Sequence, residues 1–421
     1  MSSRERVRQT LNHKEPEKLV VDFGATLTTG ISASLVYKLR KAFGLKEKPV
    51  RVTDLFQMLG EVDEELREKL EVDVVAPLTY GNAFGFRNEG WKEWALADGT
   101  PVLVPEKFNT RVESCGGIYQ YPQGDTTCAP SGYMPKGGLY FDPIVRQDHL
   151  DENNLSVEDN LEEFVLISDE ELEYNQKETA ELYKNTDYSI VGMLGGTGLG
   201  DIARVPAAFM KVPKGVRSFE DWYMLLAAEQ DFLKELYDRQ TDIALENIKL
   251  YYQAVGDMID VIFLCGADLG TQNGQFCSAE VFNDVYVKYY KKMTDWIHKN
   301  TKWKIFKHCC GSVMPLMDGY IEAGFDIMNP VQTTADDMDP QTLKTGFGSK
   351  VTFWGGGVNT QQTLAFGTPE EVYANTCENI NIFRKNGGFV FNTIHNVQAD
   401  IPVENFLAMM DAVKDKRNKN S

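Results

Sequence analysis

The feature that most constrains the fold of this chain is a regular alternation of short apolar segments and amphipathic helices after residue 187. The apolar segments are strand candidates, and the stretches between them carry apolar residues at helical spacing. Two helices have clear starts, because Ser218-Phe-Glu-Asp221 and Thr368-Pro-Glu-Glu371 both match a capping box. The six strand candidates are residues 188–194, 260–265, 304–308, 326–330, 351–354 and 388–391.

Two further apolar segments, residues 20–23 and 72–76, bring the number of candidate strands to eight. Strands that alternate with helices form a parallel sheet, and eight such units close into a barrel. The alternative is an open doubly wound sheet, but no glycine-rich dinucleotide fingerprint follows any of the strands. We therefore predict an α/β fold of the (β/α)8 TIM-barrel type.

We expect the 421 residues to form one barrel domain with two additions. Residues 1–70 predict a helical N-terminal extension, since residues 33–43 and 52–70 carry apolar side chains at helical spacing. Residues 82–145 are rich in Gly, Pro, Tyr, Trp and Thr and are broken by turn signals such as Asp98-Gly99. This composition predicts β-hairpins inserted into the barrel.

Charge and composition exclude several classes of function. The chain has 43 basic and 62 acidic residues, a net charge of −19, which disfavours contact with phosphate backbones and anionic membranes. No apolar run approaches the ~20 residues of a membrane-spanning helix, and the N-terminus lacks the apolar core of a secretion signal. The seven cysteines are an odd set without a CxxC pair, as is typical of reduced thiols. We expect a cytoplasmic protein that binds neither nucleic acid nor membrane.

Barrel enzymes carry their chemistry on the loops that follow the C-terminal ends of the strands. In this chain those loops are rich in amide, hydroxyl, thiol and imidazole groups and contain almost no Arg or Lys. Such groups suit a metal, or a neutral or cationic substrate, better than a polyanion. Asp268 is a candidate general base and equally a candidate helix cap. Gln272 is a second catalytic candidate, and the amide candidates for substrate contact, or for turn formation, are Asn329, Gln332 and Gln361.

The most specific pattern is His308-Cys309-Cys310 at the end of a predicted strand. Side chains alternate along a strand, so His308 and Cys310 face one side while Cys309 faces the other. Imidazole and thiolate two residues apart on one face are a suitable start for a zinc site. His395, at the end of the last predicted strand, is the candidate third ligand. The alternative is a buried His–Cys pair without a metal.

These motifs also resemble a known family. From about residue 187 to the C-terminus the chain resembles the uroporphyrinogen decarboxylase superfamily, and that resemblance implies a (β/α)8 barrel. The segments that carry it are Leu11-Asn-His-Lys-Glu-Pro16, Asp268-Leu-Gly-Thr-Gln-Asn-Gly274, His308-Cys-Cys-Gly311, Gly367-Thr-Pro-Glu-Glu-Val372, Gly387-Gly-Phe-Val-Phe-Asn392 and Pro402-Val-Glu-Asn405.

The superfamily has two branches with different chemistry. The decarboxylase branch uses an N-terminal segment of the type R-Q-A-G-R, whereas residues 20–34 of this chain contain no Arg. The other branch comprises zinc methyltransferases, whose mark is H-x-C followed much later by another Cys. His308 and Cys310 match that mark, but His395 stands where those enzymes carry Cys. The decarboxylase branch has a His at this position, which leaves substrate binding as a second role for His395.

The resemblance implies a methyltransferase that moves a methyl group between a small methyl ether, amine or thiol and a corrinoid. Zinc would be held by His308, Cys310 and His395, and Asp268 and Gln272 would orient the substrate or manage its proton. No corrinoid-binding domain is evident in the chain, so the corrinoid is expected on a separate partner protein, within anaerobic one-carbon metabolism. The alternatives are a lyase that acts on a carboxylated tetrapyrrole or a smaller acid, and a non-catalytic binding protein built on the same barrel.

Overall fold

The structure, a computed structural model, describes residues 1–148, 151 and 154–418. Among these residues the strands are β1 Val20–Val21, β2 Ile31–Ser32, β3 Val50–Asp54, β4 Leu59–Gly60, β5 Val74–Val75, β6 Lys92–Ala95, β7 Pro101–Val104, β8 Thr110–Val112, β9 Ile118–Gln120, β10 Gly132–Met134, β11 Asp142–Pro143, β12 Ser189–Met193, β13 Val261–Cys265, β14 Lys304–His308, β15 Ile327–Asn329, β16 Thr352–Trp354 and β17 Phe389–Phe391. The α-helices in the same ranges are α1 Ser3–Leu11, α2 Ala33–Ala42, α3 Glu64–Leu70, α4 Asp169–Asn185, α5 Phe219–Ala228, α6 Gln230–Val255, α7 Ala279–Phe282, α8 Lys288–Asn300, α9 Met317–Glu322, α10 Pro340–Phe347, α11 Thr363–Phe366, α12 Pro369–Phe383 and α13 Val403–Lys416.

Eight of these strands form one parallel sheet in the order β1-β17-β16-β15-β14-β13-β12-β5. Asp73 joins the two ends of this order, because its N–H donates to the carbonyl of Val21 at 2.8 Å. Its carboxylate in turn accepts the N–H of Val21 at 3.0 Å. The prediction of a (β/α)8 barrel is confirmed, and each of the eight predicted segments contains a barrel strand.

The interior of the barrel contains a layer of apolar side chains, with one residue from each strand. These residues are Val20, Val74, Val191, Val261, Phe306, Ile327, Trp354 and Val390. Each of them is at most 1% exposed. A packed interior of this kind leaves the ends of the strands as the place for a ligand. We call the end at which the strands have their carboxyl termini the mouth of the barrel.

The prediction of a helix over residues 52–70 is wrong in its first part. Residues Val50–Asp54 form β3, in which buried and half-buried side chains alternate as on a half-covered strand. The helix α3 begins only at Glu64, after Asp63 as its N-cap. The apolar residues here are spaced by three or four positions, which also suits a helix, but Gly60 pairs in the sheet instead. A side chain at Gly60 would meet Val50 Cγ1 at 2.7 Å.

Residues 82–145 contain antiparallel strand pairs. Strands β6 and β7 form a hairpin that extends a five-stranded sheet in the order β2-β4-β3-β7-β6. Strands β8 to β11 form a separate four-stranded antiparallel sheet. These two sheets are separate from the eight-stranded barrel sheet, so residues 82–145 add β-structure to the barrel.

The helices of the second half of the chain pack on one another around the barrel. α6 contacts α4, α5 and α8, and α12 contacts α10, α11 and α13. Within the described residues, the structure contains no helix that combines the length and the apolar character needed to span a bilayer.

Candidate metal centre

Three side chains from two strand ends meet at the mouth of the barrel. His308 is the last residue of β14, Cys310 follows two residues later, and His395 lies in the loop after β17. Their potential ligand atoms all lie within 4.8 Å of one another. His308 Nε2 lies 3.4 Å from Cys310 Sγ, and the two imidazole rings are 5.2 Å apart at an angle of 72°. We call these three residues, which could hold a metal ion, the metal centre.

The neighbouring thiol of Cys309 points away from the metal centre. Its sulfur accepts the hydroxyl of Tyr320 at 3.3 Å and the N–H of Leu269 at 3.1 Å, and the residue is fully buried. The alternation predicted for these three residues is therefore present in the structure. It separates two adjacent thiols into one that faces the mouth and one that belongs to the core.

Asn329 determines which nitrogen of His308 faces the metal centre. Its amide nitrogen donates to the carbonyl of Trp354 at 2.8 Å, so its oxygen is the atom turned toward His308. That oxygen accepts from His308 Nδ1 at 2.6 Å and from the hydroxyl of Thr28 at 3.0 Å. The proton of the neutral imidazole is therefore on Nδ1, and the lone pair of Nε2 points to Cys310. Histidines that bind metals in proteins are generally oriented by such a partner.

Asp268 connects the loop after β13 to Cys310. Its Oδ1 accepts the N–H of Cys310 at 2.7 Å and lies 3.7 Å from His308 Nε2. The two loops approach closely at Gly270 and Gly311, where a side chain on Gly311 would meet the Gly270 carbonyl carbon at 2.4 Å. Gly311 also has a φ of +90°, which favours glycine. The two glycines thus allow the contact that places Asp268 beside the metal centre.

Burial controls the protonation of the metal centre. It lowers the pKa of His308, against the opposing charge of Asp268, and together with the neighbouring His308 it lowers the pKa of His395 to about 3. Burial and the charge of Asp268 raise the pKa of the Cys310 thiol well above its usual value. At neutral pH both imidazoles are uncharged and have lone pairs to donate. Two imidazoles and one thiol form a donor set that suits zinc, which displaces the thiol proton when it binds.

The three predicted glutamines form one hydrogen-bonded rim at the mouth. Gln272 Oε1 accepts from Gln332 Nε2 at 3.0 Å and from Gln361 Nε2 at 3.4 Å. Gln332 Oε1 accepts the N–H of Gly311 at 2.8 Å, which attaches the rim to the loop beside Cys310. Gln272 and Gln361 are exposed, whereas Asn329 is fully buried beneath His308. The amide candidates thus occupy two different layers of the mouth.

A cavity of about 380 Å³, which the sequence did not predict, lies at the mouth above β5, β12 and β13. Its charged lining includes Asp54, Glu171, Asp201 and Arg204. The available signal was the glycine-rich loop 195–200 after β12, which Asp201 directly follows. Asp54 and Glu171 come from segments far apart in sequence, so that only the folded chain brings them close to Asp201 and Arg204.

Comparison with known proteins shows which family the chain belongs to. The model of the uroporphyrinogen decarboxylase (URO-D) family matches residues 205–416, which is half of the chain and includes the whole metal centre. Among solved structures, a methyltransferase from Methanosarcina mazei is similar, with 13% identity over 99% of each chain and a TM-score of 0.54, a likeness that shows the fold. No curated protein sequence matches the chain. The chain belongs to the uroporphyrinogen decarboxylase family.

Proposed function

We propose that this member of the uroporphyrinogen decarboxylase family is a cytoplasmic methyltransferase that uses zinc. It would move a methyl group between a small methyl ether, amine or thiol and the corrinoid of a separate protein. The observation that carries this proposal is the convergence of His308, Cys310 and His395, whose ligand atoms lie within 4.8 Å of one another. The likeness of the fold to a methyltransferase from Methanosarcina mazei supports methyl transfer as the class of reaction.

The residues of the metal centre have distinct proposed roles. His308, Cys310 and His395 would hold zinc, which as a Lewis acid polarises the heteroatom of a methyl donor or keeps an acceptor thiol ionised. Asn329 is a positioning residue, because its oxygen fixes the proton of His308 on Nδ1. Asp268 holds the backbone of Cys310 and presents its carboxylate to the mouth, where it would orient the substrate or its proton.

The rim of Gln272, Gln332 and Gln361 is the proposed contact for the polar part of the substrate. These amides offer both donors and acceptors at the opening, beside the loop that carries Cys310. The corrinoid, which accepts or supplies the methyl group, would be brought to the mouth by its own protein.

The decisive experiment is the metal content of the full chain purified without added metal. We expect about one zinc per chain in the wild type and none in a His308→Ala/Cys310→Ala variant. Cys309→Ala is the matched control, because its thiol is adjacent in sequence but contacts Tyr320 rather than the metal centre. Loss of zinc in the control as well as in the double variant would contradict the assignment of ligands.

The activity is tested by supplying a corrinoid protein and methylated small molecules and following the corrinoid absorbance. The wild type and the Cys309→Ala variant are expected to transfer methyl groups, and the double variant is expected to be inactive. Normal turnover by the double variant would overturn the proposal.

A second candidate is decarboxylation of a carboxylated tetrapyrrole, which the family match favours. Its substrate carries several negative charges, whereas the mouth contains the carboxylates of Asp54, Glu171 and Asp201 and the whole chain carries −19. Tight binding of uroporphyrin would favour this candidate. A non-catalytic binding protein, the third candidate, predicts no turnover with any methyl donor even when a corrinoid protein is supplied.

A further inference from the structure

The cavity above β5, β12 and β13 has an excess of negative charge. Its charged lining residues are Asp54, Glu163, Glu171, Asp201, Arg204 and Arg217. Glu163 and Arg217 neutralise each other through two hydrogen bonds, of 2.7 and 3.0 Å. The remaining four are three carboxylates and one guanidinium, so the free charge of the cavity is negative.

The three remaining carboxylates are poorly neutralised by the protein itself. In the part of the chain that the structure describes, no salt bridge involves Asp54, Glu171 or Asp201. Burial raises the pKa of all three, that of Asp54 to about 6, and the charge of Asp268 adds to the effect on Asp201. Arg204 acts in the opposite direction on Asp54 and Asp201 without cancelling it. A cation in the cavity would stabilise the ionised form of each carboxylate.

The walls of the cavity are aromatic. Phe164, Trp222 and Phe263 line it, as do two further rings that already lie beneath guanidinium groups. Arg87 is 4.7 Å from the ring centre of Tyr80, and Arg204 is 4.7 Å from that of Phe209. Aromatic faces attract cations, and the attraction is strongest where water is excluded. The same rings also pack well against methyl groups.

Asp201 joins this cavity to the metal centre. A side chain on Gly266 would meet Asp201 Oδ2 at 2.9 Å, so the carboxylate lies against the backbone at the end of β13. Gly266 is two residues before Asp268, which binds the N–H of Cys310. Asp201 and Asp268 are thus like charges on adjoining loops, and a cation near them would relieve their repulsion.

We propose that this cavity binds the small-molecule substrate as a methylated ammonium cation, with Asp201 as the counter-charge and Trp222 and Phe263 against its methyl groups. This inference rests on the proposed function, in the direction from substrate to corrinoid, and selects one class from the possible methyl donors. An ammonium nitrogen has no lone pair for zinc, so its own positive charge makes the amine a leaving group, and the metal centre and the rim would contact another polar group of the substrate. In the transfer the carbon–nitrogen bond breaks and its electron pair stays on nitrogen. The methyl group is accepted by the partner's reduced corrinoid, which supplies the electron pair of the new bond. The product amine carries the electron pair on nitrogen and takes up a proton from water, so it leaves the cavity as a smaller cation with one methyl group fewer against the aromatic walls.

The test compares three probes of the same shape and different charge, titrated calorimetrically into the full chain without corrinoid. The probes are choline, its neutral carbon isostere 3,3-dimethyl-1-butanol, and the anion 3,3-dimethylbutanoate. We expect choline to bind at least about tenfold more tightly than the neutral isostere. Asp201→Asn should remove most of this preference, while Asp318→Asn, which changes the net charge equally at an exposed site on α9, should keep it.

Equal affinity for choline and the neutral isostere, or tighter binding of the anion through Arg204, would overturn the inference. The wild-type comparison alone decides this, so it does not depend on the folding of a variant. An unchanged preference in Asp201→Asn would remove Asp201 from the site. A protein that holds zinc but does not prefer choline would lose this inference and keep the proposed function. A protein that prefers choline but holds no zinc would lose the proposed function.

Discussion

The two ends of the barrel are built from different side chains. At the amino ends of the strands the polar groups are charged and paired with one another, as around Asp73 and Asp260. At the mouth the polar groups are mainly neutral imidazole, thiol and amide groups. Among the described residues, the carboxylates of the mouth outnumber the basic side chains that could pair with them. The charged groups at the amino ends therefore stabilise the fold, whereas the polar groups at the mouth remain available to bind a ligand.

Asp73 shows how completely a charge is satisfied at the amino ends. It is 1% exposed and forms ion pairs with Arg6 and, at 3.1 Å, with Arg417. It also accepts the hydroxyl of Ser3 at 2.7 Å and the N–H of Val21 at 3.0 Å. One carboxylate therefore binds α1, β1 and the end of α13. Because both carboxylate oxygens are already engaged by protein groups, Asp73 has a structural role.

Asp260, which directly precedes β13, is also held by a basic side chain and a hydroxyl group. It accepts from Arg8 Nε at 2.6 Å and from the hydroxyl of Ser189 at 2.8 Å. Asp268, at the mouth end of the same strand, accepts a backbone N–H, and no Lys or Arg among the described residues forms a salt bridge with its carboxylate. The aspartate at the amino end of β13 is thus neutralised by the protein, whereas the one at the carboxyl end remains available to a ligand.

The largest expected effect comes from breaking the paired end. Asp73→Ala removes the carboxylate that pairs with buried Arg6 and leaves Arg417 with only the more exposed Glu71, and we expect the free energy of unfolding to fall by about 3–5 kcal/mol. Denaturant unfolding measures this loss. Asp257→Ala, which removes an exposed pair with Lys302, is the control and should have a much smaller effect on the free energy of unfolding. Zinc content at a temperature where the Asp73→Ala variant is folded should be unchanged, and its loss there would contradict the separation of the two ends.

The next effect is at the mouth. Asn329→Ala removes the acceptor that orients His308, and we expect zinc affinity to fall by about 10–100-fold. Competition with a chelator measures it. Asn329→Asp keeps an oxygen toward His308 and is expected to retain more affinity than the Ala variant. Equal affinity of the wild type and Asn329→Ala would show that the orientation of His308 does not depend on this hydrogen bond.

A pH effect follows from Asp22, a buried carboxyl just after β1. It accepts from Trp354 Nε1 at 2.9 Å and from the N–H of Ala25 at 3.1 Å, and burial raises its pKa to about 7. The unfolded value is about 4. Between these values the folded chain holds a proton that the unfolded chain has lost, so this group lowers stability as the pH rises and has its full effect above pH 7.

Asp22→Asn removes that titration. The melting temperature of the wild type minus that of the variant is expected to decrease from pH 4 to 7 and to stay level above 7. Melting curves recorded at each pH measure this difference. A constant difference over the whole range would assign the titration elsewhere.

The smallest expected effect is at the rim. Gln272→Ala removes an exposed amide, so the free energy of unfolding should change by less than about 0.5 kcal/mol and zinc content should stay the same. If the rim binds substrate, the KM for the small molecule rises while kcat is largely kept. A loss of zinc would instead assign Gln272 to the support of the metal centre.

The barrel was predictable because its strands are buried on both faces and therefore appear as continuous apolar runs, as in Ser189–Met193 and Val261–Cys265. The region around Val50–Asp54 was not, because its apolar spacing fits a helix as well as a strand paired at Gly60. The structure of this region depends on the pairing of β3 with β4 and β7, which the local sequence pattern does not indicate.

The metal centre was predictable in part. His308 and Cys310 are two residues apart on one strand, so local geometry places them together, and barrel closure brings His395 to them. The role of Asn329 was not predictable, because it depends on the register that pairs Asn329 with His308 across β14 and β15. Asp201 was missed for a similar reason, since its contact with Gly266 joins loops of different strands.

The pairing of β1 with β17 has a consequence for the order in which the protein is made. Val20 is synthesised early, but its sheet partner Val390 appears 370 residues later. Until then the first strand has an open edge, and Asp73 lacks Arg417. Such long-range pairing is slow and leaves the nascent chain exposed to aggregation. A ribosome stalled before the last strand would therefore hold a chain that needs a chaperone, even though most of its helices are already present.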